Sequence, residues 1–467
     1  MTPFLGASVL AGLGVAAGFL AFVGRGRILR AAALAVAAAP LLGAALASLS
    51  YFALAAVTDR RPDDRTLAVV VGTLAAAFVL GVRATPGREI VASPRRSDAS
   101  PRLTAIVLIF TLTGLLIGAL LVADVHRRQP RGDWDAQAIW NVRARFLVEA
   151  PSEFGARLGL HRIGHPDYPL LLPAALAAAE RIDGGKGDAA SAPLSFALYA
   201  GLLLLLALAA GRRSGMRGRA AAVALLLAAP TALFAARSQL ADLPLASSLL
   251  LAAGFLTGQF GVAGLRSFTL TGVFLGIAVW TKNEGSLWAL LLFLLALVGP
   301  LGAGGREVPR WARATWMTLG ALPGVLATIV FKVLWAPPND LLRDGPRTFF
   351  AYLTSGERIR DSVRGLVRTI APPAGCDHFG IVLPIVVLAL VLALRRRDES
   401  RRIAAFALLW LGSACAAVIF IYTVTPRDQD WHIDSSMPRL VLQVLPIAIV
   451  GAVEASVRRS AQDIDPE

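Results

Sequence analysis

Apolar runs of bilayer length recur from one end of this chain to the other, and no soluble fold accommodates so many of them. They lie at roughly 4 to 23, 31 to 57, 66 to 83, 103 to 123, 192 to 211, 219 to 236, 241 to 261, 268 to 281, 285 to 302, 313 to 335, 379 to 395, 403 to 424 and 438 to 456. A run near 20 residues crosses the ~30 Å hydrocarbon core as a helix. The expected fold class is therefore an all-α polytopic membrane protein, a bundle of about 13 transmembrane helices. The polar stretches between the runs are expected to carry extracytoplasmic juxtamembrane helices.

Charge reinforces this and removes one class of partner. A formal net charge of +15 would point to nucleic acid in a soluble protein. Here the arginines sit in short loops between apolar runs, where they set membrane orientation, so nucleic acid is not an expected partner. Cys376 and Cys415 lie far apart and fit neither a disulfide framework nor a metal motif. The first 27 residues have their positive charges after the apolar stretch, which predicts a retained helix in place of a cleaved signal.

The loops divide the chain into N-terminal transmembrane helices (1-123), a first large extracytoplasmic loop (124-190), central transmembrane helices (191-335), a basic extracytoplasmic loop (336-378), and C-terminal helices with a short cytoplasmic tail (379-467). "RGRILR" and the five positive residues from Arg83 to Arg102 belong in the cytoplasm, which places the segment after Ala123 outside. Counting back from "RRRDESRR", Arg395 to Arg402, closes on the same topology only if Tyr168 to Ile182 does not cross. That run of about 15 residues holds two prolines and ends in Glu180 and Arg181, as a juxtamembrane or re-entrant piece would. "GRRSGMRGR" then falls inside. Asp242, "TKNEG" and all five histidines, His126, His161, His165, His378 and His432, fall outside.

The most polar segment is "GDWDAQAIWNVRARFL", Gly132 to Leu147. Read as an α-helix, it aligns Asp133, Gln137, Asn141 and Arg145 in one stripe, with Ile139, Val142 and Phe146 opposite. It is expected to lie along the outer membrane surface, with Trp134 and Trp140 at the interface. Asp133 or Asp135 stands where a helix N-cap belongs, so spacing alone leaves capping and chemistry both open.

"WDAQAIW", "RARFL", "HPDYPLLLP", "RSQLADLPLA", "WTKNEG" and "PRLVLQVLPIA" follow one another in the chain. Their order resembles the pattern of polyprenyl-phosphate-sugar-dependent glycosyltransferases of the GT-C superfamily, in the branch with protein mannosyltransferases and lipid A aminoarabinose transferases. In that branch an acidic residue opens the first large extracytoplasmic loop, an acidic residue followed by Pro and Leu closes it, and Asp-x-Pro-Leu follows a later helix. The likeness covers Asp133 to Leu301 with support near Arg439. The chain departs from the branch in three additional spans before the loop, and in Asp-Tyr-Pro where relatives often carry Glu-Lys-Pro-Pro. The resemblance implies a GT-C-like bundle in a bacterial-type inner membrane with its site on the extracytoplasmic side. It also implies a polyprenyl-phosphate-linked sugar donor, a lipid, glycan or protein acceptor, and surrounding membrane lipids as partners.

Such chemistry needs a carboxylate to take the acceptor proton and cations to meet the departing phosphate. Asp135 is the first candidate base and Asp133 the second. Lys282 and Arg439 are the candidate phosphate-binding residues. Asp167, Tyr168, Asp242, Glu284, His165 and His432 are candidate supporting residues, and the carboxylates and histidines among them are candidate ligands for a divalent metal ion. Each has a plainer alternative: loop histidines, an N-cap at Asp242, and a polar hairpin with a Lys282 to Glu284 pair. In the basic loop, "ERIRDSVRGLVR" follows an amphipathic helical pattern that suits anionic headgroups or a solvated surface equally. A transporter or flippase of lipid-linked sugars is the alternative function. It would place ionisable residues near the midplane of repeated halves, and no repeat is visible here. A non-catalytic scaffold would leave the carboxylates replaceable.

Overall fold

The computed structural model describes residues 5–22, 28–58, 60, 62–89, 101–160, 164–183, 190–299, 307–339, 341, 345–371 and 376–457. His161 lies outside the described residues. The chain runs through α1 (Leu5–Phe22), α2 (Ile28–Thr58), α3 (Asp64–Ala84), α4 (Pro101–Arg128), α5 (Val142–Glu149), α6 (Phe154–Leu160) and α7 (Leu171–Ile182). It continues through α8 (Ser191–Ala209), α9 (Gly215–Leu227), α10 (Pro230–Arg237), α11 (Asp242–Leu256), α12 (Leu265–Thr281) and α13 (Asn283–Val298). The last third contains α14 (Arg310–Leu334), α15 (Gly345–Leu353), α16 (Gly356–Ile370), α17 (Cys376–Phe379), α18 (Val382–Leu394), α19 (Glu399–Thr423) and α20 (Gln429–Ser456). An antiparallel two-residue ladder, Arg88–Glu89 with Val262–Ala263, is the only strand pairing among the described residues.

The chain is an all-α, multi-pass membrane protein. Among the described residues seven helices, α2, α3, α4, α8, α14, α19 and α20, are long and apolar enough to cross a bilayer. Helices α9 and α10 pass the same test together but bend by 67° at their junction, where Pro230 opens α10. α1, α11, α12, α13 and α18 are shorter apolar helices. The apolar windows of α20 and α2 are 89% and 78% buried, against 17% and 18% for α3 and α4, so the former pair forms the core and the latter the rim. On the rim, Leu108, Leu112, Leu116 and Leu120 of α4 point outward, as do Leu319, Leu322, Leu326 and Val333 of α14. Water would penalise such stripes, whereas lipid tails match them.

Close packing depends on small residues. Gly272 and Gly276 of α12 face Gly320 and Gly324 of α14, two Gly-xxx-Gly pairs. A Cβ on Gly320 would lie 2.2 Å from the Thr269 carbonyl oxygen, and one on Gly324 would lie 2.1 Å from that of Gly276, so any larger residue would force the helices apart.

The bundle has two chemically distinct ends. At one, Arg83 donates to the Leu20 carbonyl, Arg30 to Gln259, Arg212 to Gly258, and Arg213 to Glu454 and Ser400. The other gathers the carboxylates. Helix α7 begins at this second end and also finishes there. Arg181 pairs with Asp64 at the start of α3 (2.7 Å), and the Gly6 N–H at the start of α1 donates to Asp183 (2.7 Å). Twelve residues span only ~18 Å, too short to cross. The run from Tyr168 to Ile182 therefore both starts and finishes at the same end of the bundle.

Candidate active site

The opening polar segment is built differently from a simple surface helix. After α4 the chain turns at Gly132, whose φ of 74° a side chain would strain. The helix then starts at Trp134 and winds as a π-helix over Ala136–Asn141. A π turn holds more residues than an α turn, so the expected every-fourth-residue stripe loses its register. Gln137 and Asn141 fold back to donate to the Gly132 and Arg131 carbonyls at 2.8 and 2.6 Å. Trp134 is exposed, in keeping with an interfacial role. Trp140 corrects the expectation: it is buried, stacked on Tyr168 with ring centres 5.9 Å apart.

The two aspartates of the segment separate here. Asp133 accepts from the Trp134 N–H at 2.8 Å and from the Ser238 hydroxyl at 3.3 Å, which holds the helix start against the turn before α11. Asp135 makes no capping bond and instead pairs with Arg439 Nη1.

Arg439 lies several turns inside α20, and its Nε donates to Asp242 Oδ2 at 3.0 Å. Asp242 is fully buried at the first turn of α11, and its Oδ1 accepts from Lys282 Nζ at 3.1 Å and from Gln443 Nε2. Burying a lone carboxylate is costly, and here two cations and an amide offset that cost. Gln443 is in turn oriented by Trp288, whose indole N–H donates to it at 2.7 Å. Lys282 also lies 3.5 Å from Glu284, which accepts from the Tyr168 hydroxyl at 3.0 Å. Burial, with the Glu284 and Asp167 carboxylates nearby, holds that hydroxyl well above the ordinary phenol range, so Tyr168 is a neutral donor. His165 stacks on Tyr168 at 4.6 Å with the rings nearly parallel.

Asp167 forms a neighbouring node. Its Oδ2 accepts from Asn283 (2.7 Å), Lys332 (3.0 Å) and Asn339 (3.0 Å). Arg143, completely buried in α5, donates to the Tyr168 and Pro169 carbonyls at 2.9 and 3.0 Å and fixes the loop in place. Burial lowers its guanidinium to about 9 against the opposing pull of Asp167, which leaves it charged at neutral pH. His432 bonds Thr425 at 2.8 Å and packs edge-on against Tyr422.

Asp135, Asp242, Lys282, Glu284, Tyr168, His165 and Arg439 thus converge, with Asp133 and Asp167 flanking them. No group of three His, Cys, Asp or Glu side chains suited to a metal ion occurs among the described residues. Asp135, Asp167 and Asp242 are each engaged by a side-chain cation.

Gln443, Lys332, Asn283, Asn339, Arg143 and Ser238 escaped the sequence reading. Two signals were present. Only three of the 46 basic residues are lysines; of these Lys282 directly follows one apolar run and Lys332 lies three residues before the end of another. Gln443 is a polar residue within an apolar run, one turn beyond Arg439. No family model matches the chain, and neither a curated protein nor a solved structure matches it.

Proposed function

We propose that this chain is a membrane glycosyltransferase that moves a sugar from a polyprenyl-phosphate donor to an acceptor hydroxyl on a lipid, glycan or protein. The observation that carries this is the convergence of Asp135, Asp242, Lys282, Glu284 and Arg439, from segments up to about 300 residues apart, at one end of the bundle. Buried ionisable groups are expensive in a membrane protein and mark function by default.

The chemistry follows from which partners can exchange. The acceptor oxygen forms a bond to the anomeric carbon while the bond from that carbon to the phosphate oxygen breaks. The phosphate leaves with the electron pair, the acceptor proton passes to Asp135, and the anomeric configuration inverts. Arg439 and Lys282 stabilise the leaving phosphate, with Asp242 and Gln443 keeping both cations in place. A phosphate arriving at Arg439 competes with Asp135 for the guanidinium, so donor binding would itself release the base.

The membrane arrangement is part of the proposal. The seven long helices, the bent pair taken as one and the five shorter apolar helices make 13 crossings. The arginine-rich end belongs in the cytoplasm by the positive-inside rule, and the carboxylate end then faces outward. Purified protein in nanodiscs, given a panel of polyprenyl-phosphate sugars with lipid and glycan acceptors, is expected to transfer sugar from at least one donor. No transfer from any of them, together with movement of a lipid-linked sugar across proteoliposomes, would establish a transporter instead.

A further inference from the structure

Gln239, three residues before Asp242, breaks two rules at once. It is one of only two non-glycine residues with positive φ among the described residues (58°), the other being His165 at the same site. It follows α10 at a position where glycine ordinarily relieves the left-handed strain. Its side chain is 3% exposed, and both the amide nitrogen and the amide oxygen lack a partner among the described residues. An unpartnered buried amide costs more than an apolar side chain of the same size.

The space for this amide is also specified. A Cβ on Gly132 would lie 2.8 Å from Gln239 Cδ and 2.9 Å from Oε1, so the glycine lets the amide pack against the chain in its present position. Ser238 bonds Asp133 while Arg439 joins Asp135 to Asp242, so the segments 132–135 and 238–242 face each other along the edge of the ion network. The other buried polar atoms at this end that lack a partner among the described residues include Arg143 Nε, Asp167 Oδ1, the Trp140 indole nitrogen and Glu284 Oε2. Trp140 and Glu284 flank Tyr168, which stacks on the first and donates to the second.

We infer that Gln239 is a specificity residue that reads hydroxyl groups of the transferred sugar. The inference rests on the glycosyltransferase proposal and extends it. These unpartnered atoms mix donors (Gln239 Nε2, Trp140 Nε1, Arg143 Nε) with acceptors (Gln239 Oε1, Glu284 Oε2, Asp167 Oδ1). A phosphate accepts only and would be repelled by Gln239 Oε1 and Glu284 Oε2. Sugar hydroxyls both donate and accept, so a polyol matches a mixed set of donors and acceptors.

The test uses purified full-length protein with undecaprenyl-phosphate mannose, glucose, galactose and arabinose, and monodeoxy analogues of whichever donor binds best. Gln239→Met keeps the volume and removes both polar atoms. The free variant is expected to unfold at the wild-type temperature or above it, because no bond is lost, while affinity for the best donor falls roughly tenfold. Discrimination against one monodeoxy analogue, about tenfold in the wild type, is expected to vanish in the variant. Wild-type protein that accepts every monodeoxy donor equally would overturn the inference without any variant. So would a Gln239→Met protein that fails to fold, or one with wild-type affinity and preference. If the wild-type protein binds none of the four donors, the glycosyltransferase proposal itself fails and the inference with it.

Discussion

Each end of the bundle buries one helical carboxylate completely, and the two are satisfied in opposite ways. Glu454, near the end of α20, accepts from the Arg213 N–H at 2.9 Å, the Ser214 N–H at 3.3 Å and the Ser214 hydroxyl at 2.7 Å. Asp242 accepts from the side chains of Arg439, Lys282 and Gln443. Backbone donors cannot leave without unfolding the turn that carries them, so Glu454 staples α20 to the turn between α8 and α9. Side-chain cations can move to a new anion at the cost of a rotamer change. Under the proposed function, the difference separates a carboxylate that holds the fold from one that prepares charges for exchange.

Substitutions at the two ends should diverge accordingly. The largest effect is expected at Asp135→Asn, which keeps the size but cannot take a proton: turnover falls by roughly 10² to 10⁴ while the protein still folds and binds donor. Glu454→Gln, assayed beside it, leaves turnover of the folded fraction unchanged. Equal losses in the two variants would erase the distinction. Arg439→Ala comes next. It leaves Asp135 unpaired and Asp242 with a single cation, and removing one partner of a largely buried pair costs about 3–5 kcal/mol. A lowered unfolding midpoint together with lost donor affinity is expected, and wild-type stability would show that Lys282 and Gln443 suffice for Asp242.

Glu454→Ala strips the acceptor from three donors at the other end. A loss of about 1–3 kcal/mol is expected, with donor affinity unchanged. Altered affinity would mean that the two ends are coupled through α20. The smallest effect belongs to Asp133→Asn, which preserves the contact with Ser238. Stability is expected to fall by at most about 1 kcal/mol, the value of a helix cap, with turnover close to wild type. A larger loss of turnover than at Asp135 would exchange the roles of the two aspartates.

How much of this was legible in the sequence follows from which forces leave periodic traces. The apolar runs were plain because a bilayer imposes their length. Asp242 stood out because a carboxylate opening an apolar run must find partners, and it does so in Lys282, Arg439 and Gln443. The pairing of Lys332 with Asp167 left no trace, because 165 residues separate them and nothing repeats between them. The π turn after Asp135 was invisible for a related reason: one widened turn shifts the register that a helical stripe assumes. The glycines of α12 and α14 were readable as Gly-xxx-Gly within each helix, but not as partners of one another.

A photoreactive donor decides where the sugar sits. A polyprenyl-phosphate sugar bearing a diazirine would be irradiated with the purified protein and its adducts mapped by mass spectrometry, with unmodified donor as competitor. Adducts that the competitor suppresses are expected at the carboxylate end, within residues 129–141, 164–170, 238–242 or 282–288. Suppressible adducts at the arginine-rich end instead, around residues 211–217 and 395–400, would contradict a donor site built on Arg439 and Asp135.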